Sequence, residues 1–332
     1  MKLLVITQVV DTEHPVLGFF HKWIIELSKH VEELHVIALQ VGTYNLPDNV
    51  HVHSLGKEDG VGRFVYIWRF YKYLFSFKYD HVFVHMNAEY VMLGGLFWKL
   101  LRKKVVLWYN HTVGSLLLRV STPFVDVHMH TSSYAYPARY KDAVAMPAGI
   151  DTEVFKVLPE VSKKEKSIYF QGRVAPAKRV HVLLEAFVLV KKEIPETSLT
   201  IVGPEDEVYA KELKEKYASY IKNKSLVFMG PVPHLETARL FNEHTVSVNL
   251  TDDGNYDKTV LESLACGVPV IVSSRAFSDV VSESLHVDAP EADKVAQKLQ
   301  EVFENVPDID SSIVEPYSLP VLGKKIIEVY EA

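Results

Sequence analysis

Short apolar runs that alternate with helical patterns constrain the fold of this 332-residue chain more than any other feature. In the first half, strand-like runs at Leu3–Thr7, Leu34–Leu39 and His81–His85 are each followed by a segment of helical periodicity. The alternation begins again at Ile168–Phe170 and continues through Ser198–Val202. Repeated strand-then-helix units favour parallel sheets with helices on both faces, which bind ligands at the carboxyl ends of their strands. We therefore predict an α/β protein with two doubly wound, Rossmann-like domains.

The segment Pro147–Lys166 separates the two alternating patterns, and its second part is a charged linker. We therefore predict an N-terminal domain over residues 1–150 and a C-terminal domain over residues 151–332, with a final helix over Leu322–Tyr330. The first 150 residues carry 15 Lys and Arg against 12 Asp and Glu, whereas the remainder carries 21 against 30. This segregation favours an anionic partner for the first domain, but the excess is too small to indicate nucleic acid.

Composition indicates an ordinary globular protein, with 48% hydrophobic and 23% charged residues. The single cysteine, Cys266, excludes an internal disulfide and is typical of a reducing compartment. The N-terminal apolar run is too short for a signal peptide and is interpreted as a first strand. No apolar stretch reaches the 18 residues that a membrane-spanning helix needs. These features predict a cytoplasmic protein, with peripheral contact at the inner face of the membrane left open.

The stretch Asp252–Ser273 is the clearest candidate for a ligand site. It opens with turn-forming residues and continues as a helix that ends at Gly267, where a left-handed residue is favoured. Asp257 is placed to cap this helix, because its carboxylate could accept from amides one turn on. The first-turn amides of Thr259 and Val260, at the positive end of the helix, are expected to bind an anion such as a diphosphate.

Glu262 lies one turn further along the same helix. Its carboxylate is expected to lie beside the anion site, where it could accept both hydroxyls of a ribose. The alternative is an exposed ion pair with Lys258 four residues earlier, in the weaker order for a helix.

A second polar segment, Gln171–Arg179, follows a strand and opens a helix. Gly172 lets the backbone approach a ligand closely, Arg173 can grip phosphate oxygens in a fork, and Lys178 adds a compact charge. Two cations at a helix N-terminus disfavour the helix itself, which indicates that they serve an anion. The alternative is a solvated basic turn.

Histidines at strand ends are the candidates in the first half. His111 closely follows a strand, and His85 ends another, where a lone histidine is more often structural. His128 and His130 alternate along a strand without a third ligand at a recognisable spacing, so no metal site is predicted.

The segment Phe64–Phe77 is unusually aromatic, with Arg69 and Lys72 interspersed. Because it lacks a clean polar face, we interpret it as a core helix that covers the sheet. A helix that rests on a membrane surface is the alternative.

The segment Ser263–Val270, preceded by Glu262, resembles the donor-binding motif of the family 4 glycosyltransferases, which are retaining enzymes of the GT-B fold. In that family a first Glu, seven residues and a second Glu lead into Ala-Met-Ala-Cys-Gly-x-Pro-Val. Here Glu262 takes the second position and Gly254 stands where the first Glu is expected. Gln171–Arg179 is similar to the family's Gly-Arg-x4-Lys-Gly loop. The resemblance is strong over residues 168–281 and loose over residues 1–151.

The resemblance implies a GT-B protein whose two Rossmann-like domains face each other across a cleft. It implies that the N-terminal domain holds the acceptor, that the C-terminal domain binds the nucleotide sugar, and that the last helix packs near the hinge. It implies a retaining, metal-independent hexosyltransferase that moves a sugar from a UDP- or GDP-sugar to a glycan or lipid-linked acceptor, without a cofactor. It places His111, Arg173 and Lys178 at the reaction centre. The residues that it assigns to the donor are Gly172, Arg173, Lys178, His234, Asp257, Lys258, Thr259, Val260 and Glu262.

Two alternatives stay open. One is another GT-B enzyme, such as a sugar-nucleotide epimerase or a phosphorylase. The other is a non-catalytic protein that binds a nucleotide sugar or serves as a partner subunit, and Gly254 in place of the first Glu keeps this alternative open.

Overall fold

Two parallel sheets, one in each of two units, form the framework of the protein. The computed structural model describes residues 1–14 and 16–332. The first unit comprises Met1–Gly149 with Tyr317–Ala332, and the second comprises Ile150–Pro316.

The first unit contains a seven-stranded sheet of order β3-β2-β1-β4-β5-β6-β7, all of whose paired strands are parallel. Its elements before the chain crosses to the second unit are β1 (Lys2–Val10), α1 (Phe19–Ser28), β2 (Glu33–Val41), β3 (Val50–Ser54), α2 (Arg63–Leu74), β4 (His81–His85), α3 (Ala88–Leu100), β5 (Lys104–Trp108), α4 (Leu116–Ser121), β6 (Val127–His130) and β7 (Ala143–Ala145).

The second unit contains a five-stranded parallel sheet of order β10-β9-β8-β11-β12. Its elements are β8 (Ser167–Gln171), α5 (Val180–Glu193), β9 (Ser198–Val202), α6 (Glu207–Lys216), α7 (Ala218–Lys222), β10 (Leu226–Gly230), α8 (His234–Glu243), β11 (Val246–Asn249), α9 (Lys258–Ala265), β12 (Val270–Val272) and α10 (Ala292–Glu304).

The prediction of an α/β protein with two doubly wound sheets is confirmed. Strand β9 has the ends predicted from the sequence. Apolar periodicity also predicts helices over Lys258–Ala265 and Ala292–Glu304, and these bounds are those of α9 and α10. The same pattern predicts a single helix near Val208–Lys222, where the structure has two, α6 and α7, which meet at Tyr217. Helix α4 has no counterpart in the sequence prediction, since its six residues are too few for periodicity to reveal.

The last helix, α11 (Leu319–Glu331), belongs to the first unit rather than to the predicted C-terminal domain of residues 151–332. It packs against α1, and the close approach requires Gly323, where a Cβ would lie 2.6 Å from the Glu26 Cγ. The Tyr330 hydroxyl also donates to the Val82 carbonyl at 2.9 Å. The helix therefore completes the hydrophobic core of the first unit.

Alternating residues of β1 send apolar side chains to two cores, one on each face of the first sheet. Leu3 and Val5 belong to the core that α1 and α11 cover, whereas Leu4 and Ile6 belong to the core that α2, α3 and α4 cover. This period of two is expected for a strand that is buried on both faces. Among the described residues, no helix is long and apolar enough to cross a membrane.

Candidate functional site

The topology of the second sheet defines where a ligand is expected. From β8 the chain adds β9 and β10 on one side and then returns to place β11 on the other side of β8. In a parallel sheet of this kind, ligands bind at the carboxyl ends of the two strands where the order reverses. Both polar segments selected from the sequence leave this edge, one after β8 and the other after β11.

A hydrogen-bonded cluster joins the two segments. The Lys178 ammonium is 2.5 Å from the Asp257 carboxylate, and both side chains are about three-quarters buried. The Asn249 amide donates to the same carboxylate at 3.0 Å and to the Thr259 hydroxyl at 3.2 Å. Thr251 fixes Asn249 in turn by donating to its side-chain carbonyl at 2.7 Å. The predicted residues Lys178, Asp257 and Thr259 are therefore brought together by a residue that the sequence analysis did not select.

Asn249 is the last residue of β11 and is buried. The sequence feature that could have identified Asn249 as a site residue is its position. A polar residue at the end of an apolar strand lies at the ligand-binding edge of a parallel sheet.

Arg179 makes a second connection between the same segments. Its guanidinium is 2.5 Å from the Asp252 carboxylate and also donates to the Leu250 carbonyl at 3.5 Å. The residue precedes α5 with φ of 48°, so its backbone turns sharply there and directs the side chain toward β11. It was quoted in the sequence motif but was not selected as a site residue.

Arg173 is available to bind an anion at this edge, whereas Lys178 and Arg179 are already in ion pairs. Its side chain is exposed and forms no ion pair with any residue in the described part of the chain. Gly172 precedes it, and the backbone there packs closely against Gly203 after β9, since a Cβ on Gly203 would clash with the Gly172 carbonyl oxygen. The two glycines therefore let the backbone of two strand ends come together beside Arg173.

The start of α9 differs from the sequence prediction in two respects. Asp257 occupies the N-cap position, but its side chain accepts no hydrogen bond from the helix, because its carboxylate is engaged by Lys178 and Asn249. The Val260 amide donates to the Asp257 carbonyl at 3.2 Å, and Val260 is fully buried. The predicted anion site therefore loses the Val260 amide and retains the half-buried Thr259.

The Glu262 side chain is buried rather than exposed, so its interpretation as an exposed partner of Lys258 is wrong. Its carboxylate accepts no hydrogen bond from a described residue, which leaves its oxygens available to a ligand. Burial raises the pKa of Glu262, and the nearby Lys258 opposes that shift. Burial likewise lowers the pKa of Lys258, whose ammonium is shielded from solvent, while Glu262 opposes the shift. The pair thus places a buried carboxylate and a buried amine one helical turn apart.

Gly267 ends α9 as the sequence predicts, with φ of 65°. The neighbouring Cys266 is buried, and burial raises the pKa of its thiol to about 12. This agrees with a packing role for Cys266 rather than a nucleophilic one.

The predicted base-contacting residue His234 begins α8 and is exposed. Its ring packs edge-to-face against Phe155 at 5.6 Å. The hydrogen bonds of the Lys178 cluster do not include it.

The two aspartates that resemble half of a metal motif have other partners. Asp252 pairs with Arg179, and the Asp253 carboxylate accepts from the Arg275 amide at 2.7 Å. Within residues 1–14 and 16–332, no group of three or more His, Cys, Asp or Glu side chains is arranged to hold a metal ion.

Two histidines lie after strands of the first sheet. His111 follows β5 and is exposed, with its ring edge-to-face against Tyr109 at 5.2 Å. His85 ends β4 and is buried, stacked on Phe20 at 4.2 Å and 3.3 Å from the Thr7 hydroxyl. The packing of His85 is that of a structural residue, whereas His111 is accessible to a ligand.

Comparison with solved structures identifies the fold as GT-B, the two-unit α/β class of many glycosyltransferases. HepE from Anabaena, in complex with UDP and glucose, has a TM-score of 0.79 at 14% identity, and the match covers 100% of this chain and 99% of that one. Sucrose-phosphate synthase from Thermosynechococcus elongatus has a TM-score of 0.75 at 15% identity, covering 100% and 98% of the two chains.

The sequence comparisons match the second unit. Residues 165–305 are similar to the model of the family described as glycosyl transferases group 1. A curated relative, the alpha-monoglucosyldiacylglycerol synthase of Streptococcus pneumoniae (strain ATCC BAA-255 / R6), is 26% identical over 155 residues. That alignment covers 42% of this chain and 34% of the relative, so the match spans about a third of the relative's length.

Proposed function

We propose that the protein is a glycosyltransferase that moves a hexosyl group from a nucleotide diphosphate sugar to a glycan or lipid-linked acceptor. The observation that carries this proposal is the polar cluster at the reversal point of the second sheet. There the exposed guanidinium of Arg173, the Lys178–Asp257 pair and the start of α9 converge on the edge where parallel sheets bind nucleotides.

Arg173 is the group best suited to the diphosphate. An unpaired guanidinium can form two parallel hydrogen bonds to phosphate oxygens. Lys178 contributes a second charge, because its ammonium is about a quarter exposed and can donate to a bound anion as well as to Asp257. Together they would stabilise the leaving diphosphate, a role that a divalent metal fills in other enzymes. We therefore propose a metal-independent reaction.

Glu262 is the group best suited to the nucleoside. A buried carboxylate without an internal donor is costly, and two ribose hydroxyls would supply the missing hydrogen bonds. Such binding would also favour the charged form of Glu262 beside Lys258.

We propose UDP as the nucleotide, because HepE is named as a complex with UDP and with UDP-glucose. The name of the curated relative supports a lipid acceptor over a glycan. A retaining outcome follows the family 4 resemblance. In such a reaction the acceptor oxygen bonds to the anomeric carbon on the face from which the diphosphate leaves, and His111 would contact the donor sugar. The proposed location is the cytoplasmic side of a membrane.

Thermal unfolding with UDP, GDP, ADP and their sugars, with and without Mg²⁺, tests the donor site. A nucleotide present at about 100 times its dissociation constant should add roughly 2.7 kcal/mol of stability. We expect this gain with UDP in the absence of Mg²⁺ and its loss in Arg173→Ala/Lys178→Ala. Lys211→Ala, which alters an exposed lysine of α6, is the matched control. Absence of a shift with every nucleotide would contradict the proposal.

A non-catalytic, nucleotide-sugar-binding protein is the second candidate. Gly254 stands in place of the first Glu of the donor motif, is buried, and has φ of 86°, a conformation that disfavours a glutamate there. Hydrolysis of UDP-sugar without acceptor, abolished in His111→Ala while UDP still stabilises the protein, would exclude this candidate. Nucleotide binding without hydrolysis or transfer to any acceptor would establish it.

A further inference from the structure

Three helices lie side by side on one face of the first sheet. Helix α2 contacts α3 through the Tyr71 hydroxyl, which donates to the Leu93 carbonyl at 3.0 Å, and through Phe75, whose ring meets Phe97 at 5.4 Å. Helix α3 contacts the segment after α4, where the Lys99 ammonium donates to the Pro123 carbonyl at 2.9 Å. Their inner sides contribute to one core beneath them. We call the outer side of these helices the α2–α4 face.

The α2–α4 face exposes large apolar side chains that contribute little to the core. Phe64 is 90% exposed and Trp68 is 63% exposed, on successive turns of α2. Leu100 at the end of α3 and Leu116 at the start of α4 are 72% and 77% exposed. Residues 63–121 contain 11 of the 21 large apolar side chains that are exposed in the described chain. Single exposed apolar residues are ordinary, but this concentration on adjacent helices is typical of an interaction surface.

The interpretation of α2 as a core helix is confirmed for four of its six aromatic residues and wrong for Phe64 and Trp68. Phe70 is buried, and Tyr66, Tyr71 and Tyr73 are partly buried and pack against the same core.

The same stretch is strongly basic. Residues 63–121 contain nine Lys and Arg and two Asp and Glu, whereas the rest of the first 150 residues contains six and ten. The positive charge that the whole-domain balance nearly conceals is thus concentrated in the stretch that forms these three helices and the segments between them.

Basic and apolar groups alternate within the face. The Lys72 ammonium lies 5.5 Å from the centre of the Trp68 ring, so its charge sits beside the exposed indole. At the end of α3, Lys99, Arg102 and Lys103 line a shallow depression, together with Lys104 of β5 and Asp126. Each of the three lysines donates to a backbone carbonyl, and the Arg102 guanidinium has no such partner among described residues. Arg102 is thus available to an external anion.

We propose that the α2–α4 face rests on the surface of a bilayer that contains anionic phospholipid. Exposed aromatic and leucine side chains would enter the boundary between headgroups and acyl chains, while long basic side chains reach the phosphates. A second copy of the same face is disfavoured as the partner, because two such faces of net positive charge repel each other. This proposal goes beyond the transfer reaction and does not depend on the donor site.

Intrinsic fluorescence can report this contact, because Trp68 is the one exposed tryptophan of the four. Trp23, Trp98 and Trp108 are each at most 2% exposed. We expect a blue shift of tryptophan emission when the full chain meets vesicles of phosphatidylcholine with phosphatidylglycerol. Phosphatidylcholine alone, or high salt, should give a much smaller shift, since the attraction is screened within a Debye length of about 10 Å at 0.1 M salt.

Co-flotation with the same vesicles tests the face residue by residue. Trp68→Phe should still float but lose the fluorescence shift. Lys72→Ala and Arg102→Ala should each weaken binding about fivefold, the equivalent of about 1 kcal/mol per basic residue. Phe64→Ser/Leu100→Ser should weaken it at least as much as the two charge variants together. Val208→Ser, which alters an exposed side chain of α6 in the second unit, should float like the unmodified protein.

Three results would overturn the proposal. The first is no flotation of the folded protein at low salt, and the second is equal flotation of Phe64→Ser/Leu100→Ser. The third is a protein that does not bind vesicles but sediments as a dimer, with Phe64→Ser dissociating the dimer. That result would assign the face to contact with a second copy of the chain. Stabilisation by UDP, measured on the same variants, separates these outcomes from failure of the donor site.

Discussion

At the scale of single residues, the candidate donor site depends on one buried amide. Asn249 reaches Asp257 from the end of β11, and Asp257 in turn holds Lys178. The carboxylate that was expected to cap α9 is thereby used to position a lysine. The start of α9 consequently depends on the side chains of neighbouring strand ends rather than on its own N-cap residue.

Asn249→Ala should weaken both the fold and the donor site. It removes donors to Asp257 and Thr259 and the acceptor for Thr251. Because Asn249 and Thr251 are buried and Asp257 and Thr259 are partly buried, we expect the free energy of unfolding to fall by about 1–3 kcal/mol. Urea denaturation with and without UDP measures both effects. Unchanged stabilisation by UDP in this variant would show that the orientation of Asp257 does not matter for the nucleotide.

At the scale of elements, α2 divides its aromatic side chains between the core and the exposed surface. Its aromatic side chains are distributed around the helix, so the sequence gives it no polar face. Burial nevertheless differs sharply between them, since Phe70 is fully buried while Phe64 is largely exposed.

Two substitutions in α2 should differ strongly in their effect on stability. Phe70→Ala is expected to lower the free energy of unfolding by about 3–5 kcal/mol, since it empties a site in the core. Phe64→Ser should change it by less than about 0.5 kcal/mol, as is usual for an exposed position. Chemical denaturation measures the difference. A large loss in Phe64→Ser would mean that this side chain is packed, and the vesicle experiment would then need Trp68 and Leu100 variants instead.

At the scale of the whole molecule, the chain ends in the unit where it began. Helix α11 is separated from β1 by the entire second unit in sequence, yet it lies against α1. The stability of the first unit therefore depends on residues at both ends of the chain.

Tyr330→Ala should loosen the first unit selectively. The variant loses a buried ring and the hydrogen bond to the Val82 carbonyl, at an expected cost of about 3–5 kcal/mol. In hydrogen exchange, amides of β1 and β4 should exchange faster while those of β8 to β12 stay unchanged. Tyr134→Ala, at an exposed position of the same unit, is the control. Uniform acceleration in both units would contradict the assignment of α11 to the first.

Acid should destabilise both units through one buried and one half-buried histidine. Burial lowers the pKa of His244 in the second unit to about 4, and likewise that of His53 in the first. Each histidine binds its proton more readily in the unfolded chain, where the pKa is about 6.5. The contribution of these histidines to the free energy of unfolding is therefore fully present above about pH 6.5 and is lost as the pH falls toward about 4. For His244 the loss amounts to up to about 3 kcal/mol.

His244→Gln should flatten this dependence. The His244 ring is held between the Leu240 carbonyl at 2.6 Å and the Thr200 hydroxyl at 2.9 Å, and Lys164 and Glu243 are the charged groups near it. Denaturation midpoints between pH 7 and pH 4 should fall less steeply in the variant. An unchanged slope would show that His244 is not a source of the acid sensitivity.

The sequence by itself determined the parallel sheets, most of their elements and the segments that form the candidate site. Apolar periodicity and the glycine that ends α9 are local properties of the chain, so they could be read without coordinates. Only the tertiary structure decided which partners the polar groups find. It turned Asp257 from the helix toward Lys178, buried Glu262 and assigned α11 to the first unit. These outcomes depend on contacts between residues far apart in sequence, where burial and competition for hydrogen bonds outweigh local preference.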